Sequence, residues 1–245
     1  MITPMIHELL SRDDLARLVA EIAQLDAAEA RSAERALQAG RVDAVLDSPV
    51  ALDAVRGRGG APAPLPLTLL WYVPIRAALR ERGVPDIDLA DYTATLPVVF
   101  TSTRASRKVA GGETGIALWW GSITSLPGGA VAQAERAADV GALALWWAGC
   151  FPEWVARRGA GTAMIRAYVA FAAQALRLSA RLIERRVPDA ASLYARAAER
   201  THALHAALEE ARSDYLGRDV HTPEKRLERF LARLSPDRRS RGSDN

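Results

Sequence analysis

The chain has 245 residues, 49% hydrophobic and 25% charged, with a formal charge of +3. That is enough to bury a sizeable core, and the small cationic excess argues against a specific nucleic acid partner. A single cysteine excludes an intrachain disulfide and every multi-cysteine metal pattern. The longest apolar run, residues 140–151, falls short of the about 18 residues needed to span a bilayer. With no signal-peptide pattern at the N-terminus, a cytoplasmic protein without a transmembrane segment is expected.

Helical spacing dominates from the start. Residues 12–39 read as one amphipathic helix with a stripe of Leu15, Leu18, Val19, Ile22 and Leu25. Ser11 is its N-cap, Asp13 and Asp14 lie in its first turn, and Gly40 ends it. One or two short helical turns follow around Pro49, and "RGRGGAPAPLP" (56–66) reads as a flexible linker. Residues 67–82 predict a helix kinked at Pro74 and closed by Gly83-Val84-Pro85. Residues 86–100 predict another, interrupted near Pro97. The polar loop 101–115 carries Arg104, Arg107 and Lys108, the one compact cationic cluster of the body and a candidate anion site.

"IALWWGS" precedes a helix at 130–148 whose second half is apolar all round and therefore reads as buried. Phe151-Pro152-Glu153 turns the chain into a short helix ending at Arg157-Arg158-Gly159. Thr162 is the expected cap of the next helix, which runs to about Arg186. One apolar stripe there joins Ile165, Tyr168, Val169, Ala172 and Leu176, and a second joins Phe171, Leu178 and Leu182. Arg166, Gln174, Arg177 and Arg181 take the remaining face. Two stripes imply a central helix with neighbours on both sides. Pro188 starts a helix ending near Tyr215, residues 223–234 make a last amphipathic one that would also permit dimerisation, and 235–245 reads as a disordered polar tail. The expected fold is all-α, an irregular bundle of seven to nine helices forming one domain over 1–234, with residues 163–186 at its centre.

Chemistry is sparsely signalled. Glu199, His202, His205 and Glu209 fall within about a third of the circumference of the 188–215 helix, and Glu199-x-x-His202 is half of a di-iron carboxylate pattern whose second half is missing. A solvated polar face is the favoured reading, and no metal or cofactor is expected. Cys150 lies between Trp147, Ala148 and Phe151, an apolar setting that raises a thiol pKa and argues against a nucleophile. No Gly-x-Ser-x-Gly elbow, phosphate-binding P-loop or His-Glu-x-x-His helix is present. Trp119, Trp120, Trp146 and Trp147 are candidates for core, for an apolar ligand pocket or for an interface. Consecutive tryptophans in a helix point about 100° apart, so one ring of a pair can be core while the other meets a second helix or the surface.

Two blocks resemble an uncharacterised bacterial all-helical family. "LPLTLLWYVPIRAALRERGVPDIDLADYTATLPVVF" is similar to its leader helix and "LADY" block. "DVGALALWWAGCFPEWVARR" with "MIRAYVAFAAQAL" is similar to its G-x-F-P-(D/E) segment and tyrosine-bearing helix. The resemblance covers about a third of the chain, and Ala142, Ala148 and Ala172 depart from it. It implies a helical fold and a bacterial source, carries over Leu89, Ala90, Asp91, Tyr92, Gly149, Phe151, Pro152, Glu153 and Tyr168, and implies no reaction. Asp91, Tyr92, Trp147, Phe151, Glu153 and Tyr168 are accordingly the ligand-pocket candidates. The expected function is a non-enzymatic module for a protein partner or a small apolar ligand. An enzyme or cofactor-dependent protein with a site between helices, using Asp91, Tyr92, Glu153 and Tyr168, is one alternative. A peripheral membrane protein using its tryptophans is the other.

Overall fold

The computed structural model describes residues 6–58, 65–100, 115–125, 128–159 and 161–218. Thirteen helices and no strand occur among them. The N-terminal group is α1 (Ile6–Leu9), α2 (Arg12–Leu25), α3 (Ala27–Gln38), α4 (Val42–Leu46) and α5 (Pro49–Val55). It is followed by α6 (Leu67–Glu81), α7 (Ile87–Phe100), α8 (Ile116–Thr124), α9 (Gly129–Cys150) and α10 (Pro152–Arg157). The last three are α11 (Thr162–Ile183), α12 (Pro188–Glu199) and α13 (Thr201–Arg218).

The helices are shorter and more numerous than periodicity predicts because two continuous stripes are broken, one by a side-chain cap at Asp26 and one by a non-helical residue at Arg200. The expected 12–39 helix stops at Asp26, whose backbone is extended and whose carboxylate accepts from Ala28 N at 2.7 Å and Glu29 N at 3.1 Å. Those bonds satisfy donors that a new helix start leaves open, so α3 sets off in a new direction. Ser11 does cap α2, in a reciprocal box with Asp14. The expected 188–215 helix likewise divides at Arg200, between α12 and α13. Thr162 does not cap α11. It is already helical, and Gly161, at φ 61°, makes the turn without a side-chain bond. Pro74 and Pro97 lie inside α6 and α7 without ending them. Buried residues on both sides hold each helix together against one missing hydrogen bond.

The centre is a pair of helices. Residues 140–150 of α9 are buried without exception, and α9 packs most extensively against α11. The prediction that α11 has neighbours on two sides holds, with α9 on one flank and α12 on another. Small residues set the α9–α11 spacing: a Cβ on Gly141 would stand 3.1 Å from Ala175 Cβ and 3.3 Å from the Ala172 carbonyl. On the other side of α9, a Cβ on Gly149 would meet Leu208 Cβ of α13 at 2.6 Å. Helix α13 also packs on α6, which connects this centre to α5 and, through α5, to α2.

One buried charge joins α4 to α6. Arg76, 3% exposed, donates from Nε and Nη2 to the two Asp47 oxygens at 2.7 and 2.8 Å. Its Nη1 reaches Asp43 at 2.9 Å and the Tyr72 hydroxyl at 3.0 Å. Burial alone would raise the Asp47 carboxyl, but the Arg76 guanidinium outweighs it and holds the group below its ordinary value. No described helix is long and apolar enough to cross a membrane.

Two predictions follow from this packing. Gly149→Ala forces α13 away from α9 and lowers stability by about 1–3 kcal/mol, whereas Gly121→Ala in α8, where a Cβ meets nothing, raises it by about 0.5–1 kcal/mol. Urea midpoints of the two variants should move in opposite directions. Asp47→Ala leaves the Arg76 guanidinium short of partners and costs about 2–3 kcal/mol at neutral pH. Because the folded carboxyl titrates below the unfolded value of 3.8, the wild-type advantage is complete above that pH and shrinks as pH falls through the lower folded value. Denaturation of both proteins from neutral to acid pH measures the convergence.

Candidate functional site

Two aromatic clusters grow from the Trp146-Trp147 pair of α9. Their directions diverge along the helix, and here both rings find core. Trp147, 1% exposed, lies 5.2 Å from Trp119 of α8, 4.7 Å from Trp154 of α10 and 6.4 Å from Tyr168 of α11, centroid to centroid. Trp119 closes the group through Tyr168 at 5.8 Å and Phe171 at 5.9 Å. Trp146 points instead to Phe100 at 5.3 Å and Phe151 at 4.8 Å. At these separations the rings occupy one another's space, and each favourable pair adds about 0.5–1.5 kcal/mol beyond its burial.

The second pair divides. Trp119 is fully buried, while Trp120 is 39% exposed and meets the Phe171 ring edge-on at 6.2 Å. Leu118 beside it is 51% exposed. Arg158 marks the polar rim of the cluster, stacked 3.9 Å above the Trp154 ring. Burial pushes the Tyr168 hydroxyl above its ordinary pKa, and the Arg158 guanidinium beside it opposes that shift.

The candidates implied by the resemblance do not converge into one reactive group. Asp91 faces α1, accepting from Ile6 N at 2.7 Å and His7 N at 3.2 Å. Tyr92, the next residue, faces α12, edge-on to Tyr194 at 6.1 Å. Burial pushes the Tyr92 hydroxyl well above its ordinary pKa. Glu153 is exposed and takes Arg212 Nη2 of α13 on both carboxylate oxygens at 3.0 Å. Trp147 and Tyr168 do meet, inside the filled cluster, and Phe151 belongs to the other one. None of the six lines either of two surface clefts beside the α6–α7 turn. The larger, about 410 Å³, is bordered by Asp86, Leu89, Arg196, Glu199 and Arg200, with Arg196 already held by Asp86 and Asp88 at 2.8 Å each.

The metal-like spacing does not assemble either. Glu199 ends α12, while His202, His205 and Glu209 belong to α13, so the continuous helix the spacing requires is interrupted. His205 Nδ1 lies 3.6 Å from Glu209, and no group of three or more potential ligands occurs among the described residues. Arg104, Arg107 and Lys108 lie outside the described residues, as do 223–234 and 235–245.

What the sequence reading left unassigned is a surface. Helix α11 contains three arginines and no acidic residue, and Arg166, Arg177 and Arg181 are all exposed, as their positions on its polar face predict. None of the three makes an ion pair or hydrogen bond with a described residue. The missing acidic partners were visible in the sequence. The exposure of Leu118 and Trp120 was not, because an apolar nine-residue helix gives no sign of which side is covered. No family model, curated protein or solved structure matches the chain.

Cys150 is buried, and that burial pushes its thiol well above the ordinary value. A thiol reagent at neutral pH should therefore leave the folded chain unmodified and label Cys150 fully in urea. Fast labelling of the folded protein would show the thiol to be accessible after all.

Proposed function

We propose that this protein is a non-enzymatic interaction module, docking through α8 and the adjoining outer side of α11. The observation that carries this reading is the exposure of Leu118 and Trp120 next to an aromatic cluster that is otherwise packed shut. Leu118 and Trp120 lie about 160° apart around α8 and flank its solvent-facing crest, so a partner laid along α8 would cover both. The reactive candidates support the same reading from the other direction. Asp91 accepts backbone donors of α1, Glu153 is paired with Arg212, and Cys150 is sealed. A small apolar ligand is less favoured, since the rings that would line its pocket touch each other. The resemblance to a bacterial helical family belongs to this proposal as a fold-level likeness and adds no reaction.

The test is native mass spectrometry of the chain purified from its own cells. Wild type is compared with Leu118→Asp and Trp120→Asp, at positions that are 51% and 39% exposed. Wild type should carry a bound macromolecule or lipid that both variants lose while their circular dichroism stays unchanged. A bound metal or cofactor, a companion retained by the variants, or no companion at all overturns the reading.

A further inference from the structure

The outer face of α11 is electrostatically one-sided. At about 100° and 1.5 Å per residue, Arg166, Arg177 and Arg181 fall within roughly 60° of one another and extend over about 22 Å. Arg177 and Arg181, one turn apart, repel each other, and exposed Glu184, the helix C-cap three residues past Arg181 on the same face, offsets only part of their charge. Nor does a described residue of any other element pair with the three. Their spread is too long for one phosphate or carboxylate and suits a layer of many anions.

Helix α8 adds a different property to the same surface. Trp120 rests on Phe171, midway along α11 between Arg166 and Arg177, and the exposed Ala167 and Gln174 connect Phe171's flank to the arginine row. Exposed tryptophan and leucine beside a cationic row combine an apolar insertion with attraction to negative charge. An indole with one polar edge favours the boundary between water and hydrocarbon, and arginine stems lie along apolar surface while their guanidinium groups reach polar heads. No described helix is long and apolar enough to cross a membrane, so such contact would be lateral.

We propose that this face binds an anionic lipid surface. Leu118 and Trp120 enter the headgroup layer, and Arg166, Arg177 and Arg181 meet the phosphate and carboxylate groups of acidic lipids. The assignment rests on the reading of α8 and α11 as the docking face and names what covers it. Aliphatic Leu118 favours lipid over nucleic acid, because a polynucleotide offers stacking for the indole and little cover for leucine. An acidic protein segment is the competing occupant, and it would depend chiefly on the arginines.

Co-sedimentation of the full chain with vesicles decides between them. Binding is expected to vesicles of phosphatidylcholine mixed with phosphatidylserine, to be absent for phosphatidylcholine alone, and to weaken as salt screens the arginines. The double variant Arg177→Glu/Arg181→Glu should lower the partition coefficient by about tenfold or more, and Leu118→Ser, which leaves the charge of the face unchanged, should also reduce it. Arg17→Glu/Arg31→Glu, exposed changes on α2 and α3 that shift net charge by the same amount, control for overall charge and should leave binding within about twofold of wild type. Three results overturn the lipid assignment: no binding to the mixed vesicles, equal loss in the Arg17→Glu/Arg31→Glu control and the α11 variant, or full binding by Leu118→Ser. Binding of soluble polyglutamate with loss in the arginine variant but not in Leu118→Ser, without vesicle binding, transfers the face to an acidic protein segment. If vesicles fail while Leu118→Asp still strips a companion in native mass spectrometry, the docking face survives and only the lipid occupant is lost. If both fail, both readings fall.

Discussion

The rest of the structure depends on how closely three helices approach along α9. Gly141 lets α11 come within reach of a missing methyl group, and Gly149 lets α13 do the same from the other side. Interiors pack to near-crystalline density, so one added carbon at either contact must move a helix. That constraint places Trp146 and Trp147 in two different clusters, because the residues flanking α9 are already committed. It also explains the chain reversal at Phe151-Pro152. Gly149 admits Leu208, Phe151 packs on Trp146, and proline at the first position of α10 loses no hydrogen bond by lacking a donor.

Charge is arranged around this apolar centre in two ways. In one, arginines are consumed by structure: Arg76 joins α4 to α6, Arg196 ties α12 to the α7 start, and Arg212 pairs α13 with Glu153 of α10. Each bridges elements distant in sequence, and the buried Arg76 network is the one with enough desolvation for its loss to matter. The other way is the outer side of α11, where Arg166, Arg177 and Arg181 are exposed and pair with no described residue. An interaction surface follows from that contrast together with α8, whose inner residues Trp119 and Ile123 anchor it while Leu118 and Trp120 face outward.

Helical class, the burial of 140–150 with Cys150 among them, and the polar face of α11 were all legible from residue order. Periodicity and local apolar context report such properties directly. The breaks at Asp26 and Arg200 were not, because the apolar stripes run on through them and only the new helix direction shows that the chain has turned. Glu199 illustrates the consequence. On an uninterrupted helix it shares a face with His202 and His205, and the break at Arg200 removes the premise. Asp91 and Tyr92 show the complementary limit: adjacent letters suggested one site, whereas a helix sends adjacent side chains about 100° apart, to α1 and to α12.

By itself the sequence determined that this chain makes amphipathic and buried helices, where its prolines and glycines fall, and that α11 carries positive charge without negative. Those are local properties, set by composition, spacing and capping. Only the tertiary structure decided which tryptophans are sealed and which one reaches solvent, that Glu153 finds Arg212, and that α8 packs on Tyr168 and Phe171 of α11. Each of these joins residues separated by dozens of positions, and helix periodicity says which side of a helix is apolar without saying what lies against it.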